Sequence, residues 1–250
     1  VNKIDRRDNE SVKPLRRLHL KRKGRLGVRQ MKLELEREGI VINKKKISRL
    51  KKKYGLLTKI RVKKNKVFYK KRQEHKTMEN VLAQDFKAQS VGEKFSTDIT
   101  YLPYGGSKTA YLSAIKDLKS KEIVAYKVSG QINTELTNSC LREFIEKNKD
   151  KGDMLIHSDQ GFHYTHKSYR TILENEEITQ SMSRKGNCLD NAPIESFFGL
   201  LKDHLDLSSC REWKDVRKEV REAIRYYNEE RPQLGLNKKT PAEYRSLLAS

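Results

Sequence analysis

Between residues 94 and 205 the chain switches repeatedly between a two-residue and a helical hydrophobic period, and the order of those switches limits its fold more than any other feature. KFSTDITYLP alternates around Asp98, KTAYLSAIKDL follows the Gly105-Gly106 turn, and KEIVAYKVS comes next, three strands spaced as an antiparallel meander. Residues 134 to 148 are helical by pattern, and MLIHSD is a short buried strand ending at Asp159. A helix is expected from about His166 to Glu174, ITQSM as a fifth strand, and a further helix from about Asn191 to Leu205.

Three strands, helix, strand, helix, strand, helix is the element order of an RNase H-like α/β domain, here a five-stranded mixed sheet with helices. Asp98 sits mid-strand among apolar neighbours and Asp159 ends an apolar strand, both poor places for an unpaired charge. Glu195 would join them from the last helix of that series. Two carboxylates ~4 Å apart repel by roughly 4 kcal/mol at an effective dielectric near 20. Three together would take up protons unless a cation neutralised them, and oxygen-rich sites suit Mg²⁺ or Mn²⁺. Two such ions about 3.5 to 4 Å apart serve phosphoryl transfer.

The net charge of +22 lies entirely in the first third: residues 1 to 77 hold 29 basic and 7 acidic residues, against 26 and 26 in the remainder. So basic a block, with no long apolar segment beside it, points to nucleic acid. It reads as three short helices: one capped by Ser11 with Pro14 in its first turn, one from about Leu26 to Glu38 stopping at Gly39, and one after Asn43 stopping at Gly55. That is a small all-α helix-turn-helix domain over 1–57. Its last helix carries Lys44, Lys45, Lys46, Arg49, Lys51, Lys52 and Lys53, as a helix in a DNA groove would. Lysines suit phosphate contact, so Arg49 and Arg29 are the candidates for base readout. Residues 58–90 read as a basic linker, 91–208 as the catalytic core and 209–250 as a C-terminal helical extension. Within that extension Trp213, Val216, Val220, Ile224 and Tyr227 share a face that packs on the core in preference to another subunit.

Cys140, Cys188 and Cys210 lack a Cys-x-x-Cys pair and read as reduced thiols, and His157, His163 and His166 as structural histidines and not a zinc set. The apolar runs are too short for a signal peptide or membrane span. The chain opens on Val1 and not methionine, as a trimmed chain or the downstream part of a longer product would.

TDITY around Asp98, HSDQGFHY around Asp159 and SRKGNCLDNAPIESFFGLLK around Glu195 resemble the integrase core of IS3-family insertion-sequence transposases, which are related to retroviral integrases. Asp159 and Glu195 are separated by 35 residues, the spacing that names the DD(35)E group. Gly27 to Leu57 resembles the family's helix-turn-helix, and YYNEERPQLGLNKKTPAEYR its C-terminal signature, with Gln233 standing where the family usually has histidine. The resemblance implies that Asp98, Asp159 and Glu195 are catalytic residues and metal ligands, holding Mg²⁺ or Mn²⁺ as two ions. It places a DNA-contacting base at Lys202, which a helix carries to within about 20° of Glu195's face and ~10 Å further along. Arg184, Lys185 and Asn187 would contact the DNA end, with Gly186 allowing close approach. It further implies double-stranded DNA as partner, both element ends and target, and a homo-oligomer of at least two subunits working on DNA in a bacterial cytoplasm, at the nucleoid. The alternative is a DNA-binding regulator derived from a transposase and catalytically silent.

Overall fold

The computed structural model describes residues 3–59, 77–148, 152–184 and 187–249. It divides into two compact units, Val1–Lys66 with Arg231–Lys239, and Val67–Glu230 with Thr240–Ser250.

The first unit is built on α1 (Lys3–Lys21), α2 (Val28–Arg37) and α3 (Lys44–Lys53). Asn43 caps α3, its side chain accepting from the Lys45 N–H at 2.8 Å, while Gly39 and Gly55 take the left-handed conformations that end α2 and α3. Leu15, Met31, Leu35, Ile47 and Leu50, all fully buried, fuse the three helices into one core. Fully burying one such side chain is worth roughly 1.5–3 kcal/mol. Residues Arg231–Lys239 belong here through Gln30 Nε2, which donates to the Pro232 carbonyl at 3.2 Å, and a 3.1 Å ion pair of Lys238 with Glu36.

The second unit is a five-stranded mixed sheet in the order β3-β2-β1-β4-β5. Its strands are β1 (Lys94–Tyr104), β2 (Lys108–Asp117), β3 (Ile123–Ser129), β4 (Leu155–Ser158) and β5 (Thr179–Met182). β1, β2 and β3 form the antiparallel meander, and β4 and β5 extend it in parallel from β1. One face is covered by α4 (Thr134–Glu146), α5 (Phe162–Thr165) and α6 (Lys167–Asn175), where Phe144, Tyr164 and Tyr169 pack on Phe95, Ile115 and Ile156. The other is covered by α7 (Ala192–His204) and α8 (Trp213–Arg225), where Phe197, Leu201, Val216 and Val220 pack on Leu102, Leu112 and Ala114. A π-helical turn, Tyr226–Glu230, continues α8, and α9 (Pro241–Ala249) closes the chain.

Four features differ from the sequence reading. The first helix does not start at a Ser11 cap but runs from Lys3 with Pro14 inside it. An interior proline costs about 3 kcal/mol of helix propensity, and around it Val12, Leu15 and Leu18 are buried in the three-helix core, while Asp8, also buried, is bonded to Arg49 of α3 at 2.6 and 2.7 Å. The proposed linker is a linker at most in part. Residues 60–76 lie outside the described residues, but from Met78 the chain is fastened to β5: the Met78 N–H meets Met182 Sδ at 3.4 Å and the Leu82 N–H donates to Ser181 Oγ at 3.0 Å. Residues 209–230 are no separate extension, since Val216, Val220 and Ile224 complete the core over β2 and β3, the packing face the amphipathic pattern called for. Lastly, Lys51 is not on the solvent face of α3; it is buried, donating to the Leu26 carbonyl at 2.5 Å and to Thr58 Oγ1 at 3.0 Å.

Candidate active site

β1 and β4 are parallel, and their partners stand 61 residues apart, Lys94 with Leu155, Phe95 with Ile156 and Ser96 with His157. Asp98 and Asp159 are also 61 apart, and Asp159 directly follows Ser158, the last residue of β4, so the same register extended past the strand end would bring it level with Asp98. Alternation puts Asp98 on the same face as Leu102 and Tyr104, the face that α7 covers. The Ile99 N–H donates to Asp98 Oδ1 at 2.7 Å and the Gly161 N–H to Asp159 Oδ1 at 2.9 Å. Burial pushes the Asp159 carboxyl up, while the Gly161 N–H and His163 pull it back. The phenols of Tyr101 and Tyr164 are both raised, chiefly by burial, with the charges of Asp98 and Asp159 adding to the shift.

The third acid arrives on α7. Pro193 stands in the first turn, where its missing N–H costs nothing, and Ile194, Phe197, Phe198 and Leu201 are buried as core residues. Those apolar positions fix the helix rotation, leaving Glu195 exposed in the first turn and Lys202 half-buried two turns on. Among the described residues no group of three His, Cys, Asp or Glu side chains is close enough to hold a metal ion as it stands. Asp98 thus lies on the sheet face that α7 covers, Asp159 stands just beyond the end of the neighbouring strand β4, and Glu195 faces solvent at the helix start. Of the histidines, His157 Nδ1 bonds Ser181 Oγ at 2.9 Å and His166 caps α6, both structural uses.

The segment ahead of α7 is organised by Asp190, a residue the sequence reading passed over. Its carboxylate is fully buried, receives the Arg184 N–H at 2.8 Å and guanidinium at 3.0 and 3.2 Å, and also binds Gln84 Nε2 at 2.7 Å and Asn80 Nδ2 at 3.1 Å. Arg184 holds this carboxyl far below the usual carboxylate range. Arg184 is therefore a brace for the loop as well as a solvent-facing cation, and Asn187 Oδ1 accepts from the Leu189 N–H at 3.1 Å, closing a 3-10 turn over Cys188–Asn191. Lys185 and Gly186 lie outside the described residues. An aspartate before a helix looks like a cap; only its partners 106 and 110 residues away distinguish Asp190.

On the first unit, Arg29, Lys44 and Lys45 are exposed, and Lys46 Nζ donates to Ser11 Oγ at 2.7 Å. Arg49, a candidate for base readout, spends its guanidinium on Asp8.

Two models described as "Integrase core domain" match residues 88–188 and 176–241, spanning Asp98, Asp159 and Glu195, and an "HTH-like domain" model matches 6–64. InsK of insertion sequence element IS150 from Escherichia coli (strain K12) is 39% identical over 238 residues, 94% of this chain and 82% of that protein. The chain belongs to the IS3-family insertion-sequence transposases. The transposase for IS904 of Lactococcus lactis subsp. lactis (strain IL1403) is 32% identical over 89% of this chain and 88% of that one. InsF, the transposase for IS3A of Escherichia coli (strain K12), is 32% identical over 72% of this chain and 62% of its own length. A cryo-EM structure of a simian T-cell lymphotropic virus intasome in complex with the PP2A regulatory subunit B56 gamma matches with TM-score 0.55 at 15% identity, over 70% of this chain and 60% of that one, which shows the shared fold alone. This IS3-family protein is a DNA transposase, a polynucleotidyl transferase by class, with DNA as its partner; the silent regulator is not favoured. None of its described helices is long and apolar enough to cross a membrane.

Proposed function

We propose that the transposase cuts and joins DNA at Asp98, Asp159 and Glu195, which hold divalent cations, Mg²⁺ or Mn²⁺, as two ions. The observation that supports this is the parallel β1–β4 pairing, in which Asp98 lies on β1 and Asp159 follows the end of β4, with α7, the helix bearing Glu195, packed on that face of the sheet. The donor set fits: carboxylate oxygens are hard ligands, and burial of Asp159 disfavours its charge unless a cation balances it. Bound there, such ions supply Lewis-acid stabilisation of the attacking and leaving oxygens.

The chain's own groups hold and aim the substrate. Water attacks first: its oxygen bonds to phosphorus, the P–O3′ bond breaks, and the 3′ oxygen leaves as a hydroxyl. That hydroxyl then attacks a second phosphodiester, displacing its 3′ oxygen in the same way, with no bond to protein. Lys202, ~10 Å along α7 from Glu195, grips a phosphate beside the reacting one. Arg184, Lys185 and Asn187 border the DNA end. Arg29, Lys44, Lys45 and Lys46 bind the element's terminal inverted repeats, chiefly through phosphates, and Arg49 joins them where its guanidinium can serve DNA as well as Asp8. At least two subunits act together, because two ends must be held.

The test is strand joining on labelled duplexes carrying candidate element ends, for wild type and Glu195→Gln, with Mg²⁺ or chelator. Joined products that need both the cation and Glu195 are expected. DNA binding without cutting or joining under any of these conditions overturns the catalytic reading in favour of a binding protein.

A further inference from the structure

One buried cation in the catalytic unit has no part in that mechanism. Lys116 lies near the end of β2 with only 6% of its surface exposed. Lysine is rarely buried without a partner, because its ammonium loses hydration that the interior does not return. Its Nζ donates to the Pro193 carbonyl at 2.8 Å, in the first turn of α7 and two residues before Glu195. In the sheet Lys116 pairs with Ser96, Ser96 with His157, and His157 with Ser181, a buried polar row across four strands. The row lies one step along the same face from Asp98 and its partner Ala114. A second polar tie runs from the start of α7 to the same place: Asn191 Nδ2 donates to the Thr97 carbonyl, the residue before Asp98, at 3.3 Å.

We propose that Lys116 is a positioning residue, reaching from β2 to the Pro193 carbonyl so that the first turn of α7, which carries Glu195, is pinned over the sheet face that bears Asp98. The assignment of Glu195 rests on the function proposed above; the tether itself does not. The apolar side chains of α7 fix its rotation but resist sliding weakly, since dispersion contacts are non-directional. A directed hydrogen bond at the first turn supplies the missing restraint, and with Asn191 it ties the helix start to both β1 and β2. Burial, with the charge of Lys121 added, pushes the Lys116 amine down to about 7, so holding it there works against its own charge. Met at this position keeps the length and apolar stem while deleting the donor.

The test compares the full chain with Lys116→Met and Lys116→Gln, the latter restoring an N–H donor. Three quantities are read: the melting temperature, hydrogen–deuterium exchange of the amides of residues 194–198 against those of α4, and the Mg²⁺ concentration for half-maximal strand joining. Lys116→Met is expected to melt at or above the wild-type temperature, with faster exchange confined to the start of α7. Its Mg²⁺ midpoint should rise about tenfold, the loss of one charge-assisted hydrogen bond, and Lys116→Gln should recover part of both effects. Unchanged exchange at residues 194–198, or exchange raised equally in α4 with a lower melting temperature, marks an ordinary structural lysine and overturns the proposal. Wild-type joining that ignores metal overturns the reading of Glu195 instead, and the exchange comparison still decides the tether.

Discussion

Gly161 stands against Asp159: a Cβ built on it would lie 2.8 Å from Asp159 Oδ1, while its N–H already donates to that oxygen at 2.9 Å. Only a residue without a side chain lets the backbone come this close to the carboxylate, so the glycine is needed for contact and not for an unusual φ. Gly161→Ala must displace Asp159 by a few tenths of an ångström or more. Misplacement by ~1 Å can cost on the order of 10²-fold in rate. We expect strand joining reduced roughly 10- to 100-fold, with DNA affinity and melting temperature close to wild type; equal joining rates would remove Asp159 from the site.

Asp190 should act on stability through pH. Its carboxyl is depressed chiefly by Arg184, so its contribution is fully present above the unfolded carboxylate value of ~3.9 and is lost as pH falls through the folded value. Asp190→Asn keeps the shape and removes the charge, leaving Arg184, Asn80 and Gln84 imperfectly paired. A loss of roughly 1–3 kcal/mol near neutral pH is expected, shrinking as both proteins are melted at successively lower pH below about 4. A difference independent of pH would mean that the charge at Asp190 is immaterial.

The lysines of α3 should separate into two kinds. Lys44→Ala and Lys45→Ala each remove an exposed cation, and each should lower the slope of log affinity against log salt by ~0.9 while leaving folding intact. Lys51→Ala removes a buried donor to Leu26 and Thr58, so melting should suffer and the salt slope should not. Titrations of terminal-repeat duplexes across salt concentrations, beside melting curves, check both. An equal slope change at Lys51 would place DNA against the wrong face of α3.

Ile224 of α8 is buried in the cluster that also holds Phe197 and Leu201 of α7. Ile224→Ala should therefore destabilise the catalytic unit by ~2–5 kcal/mol. Chemical denaturation reads this directly. A variant as stable as wild type would mean that α8 adds little to the core of the catalytic unit.

Local pattern sufficed for the order of the five strands and the helices between them, for the two helix stops at Gly39 and Gly55, for the buried face of α8 and, through motif resemblance, for the family. Each of these is written in neighbouring residues through periodicity, turn chemistry and a motif resemblance. Tertiary structure alone decided the rest. The parallel pairing of β1, which carries Asp98, with β4, which ends just before Asp159, joins partners 61 residues apart, and no local propensity fixes it. Asp8 ties α1 to Arg49 of α3, Asp190 gathers Arg184 with Asn80 and Gln84, Lys51 turns inward to the Leu26 carbonyl and Thr58 Oγ1, and Lys116 to the Pro193 carbonyl. In a basic chain a lysine reads as a solvated cation. Whether it is one depends on which distant backbone group folding brings within hydrogen-bonding reach, and that is settled by packing, not by sequence neighbourhood.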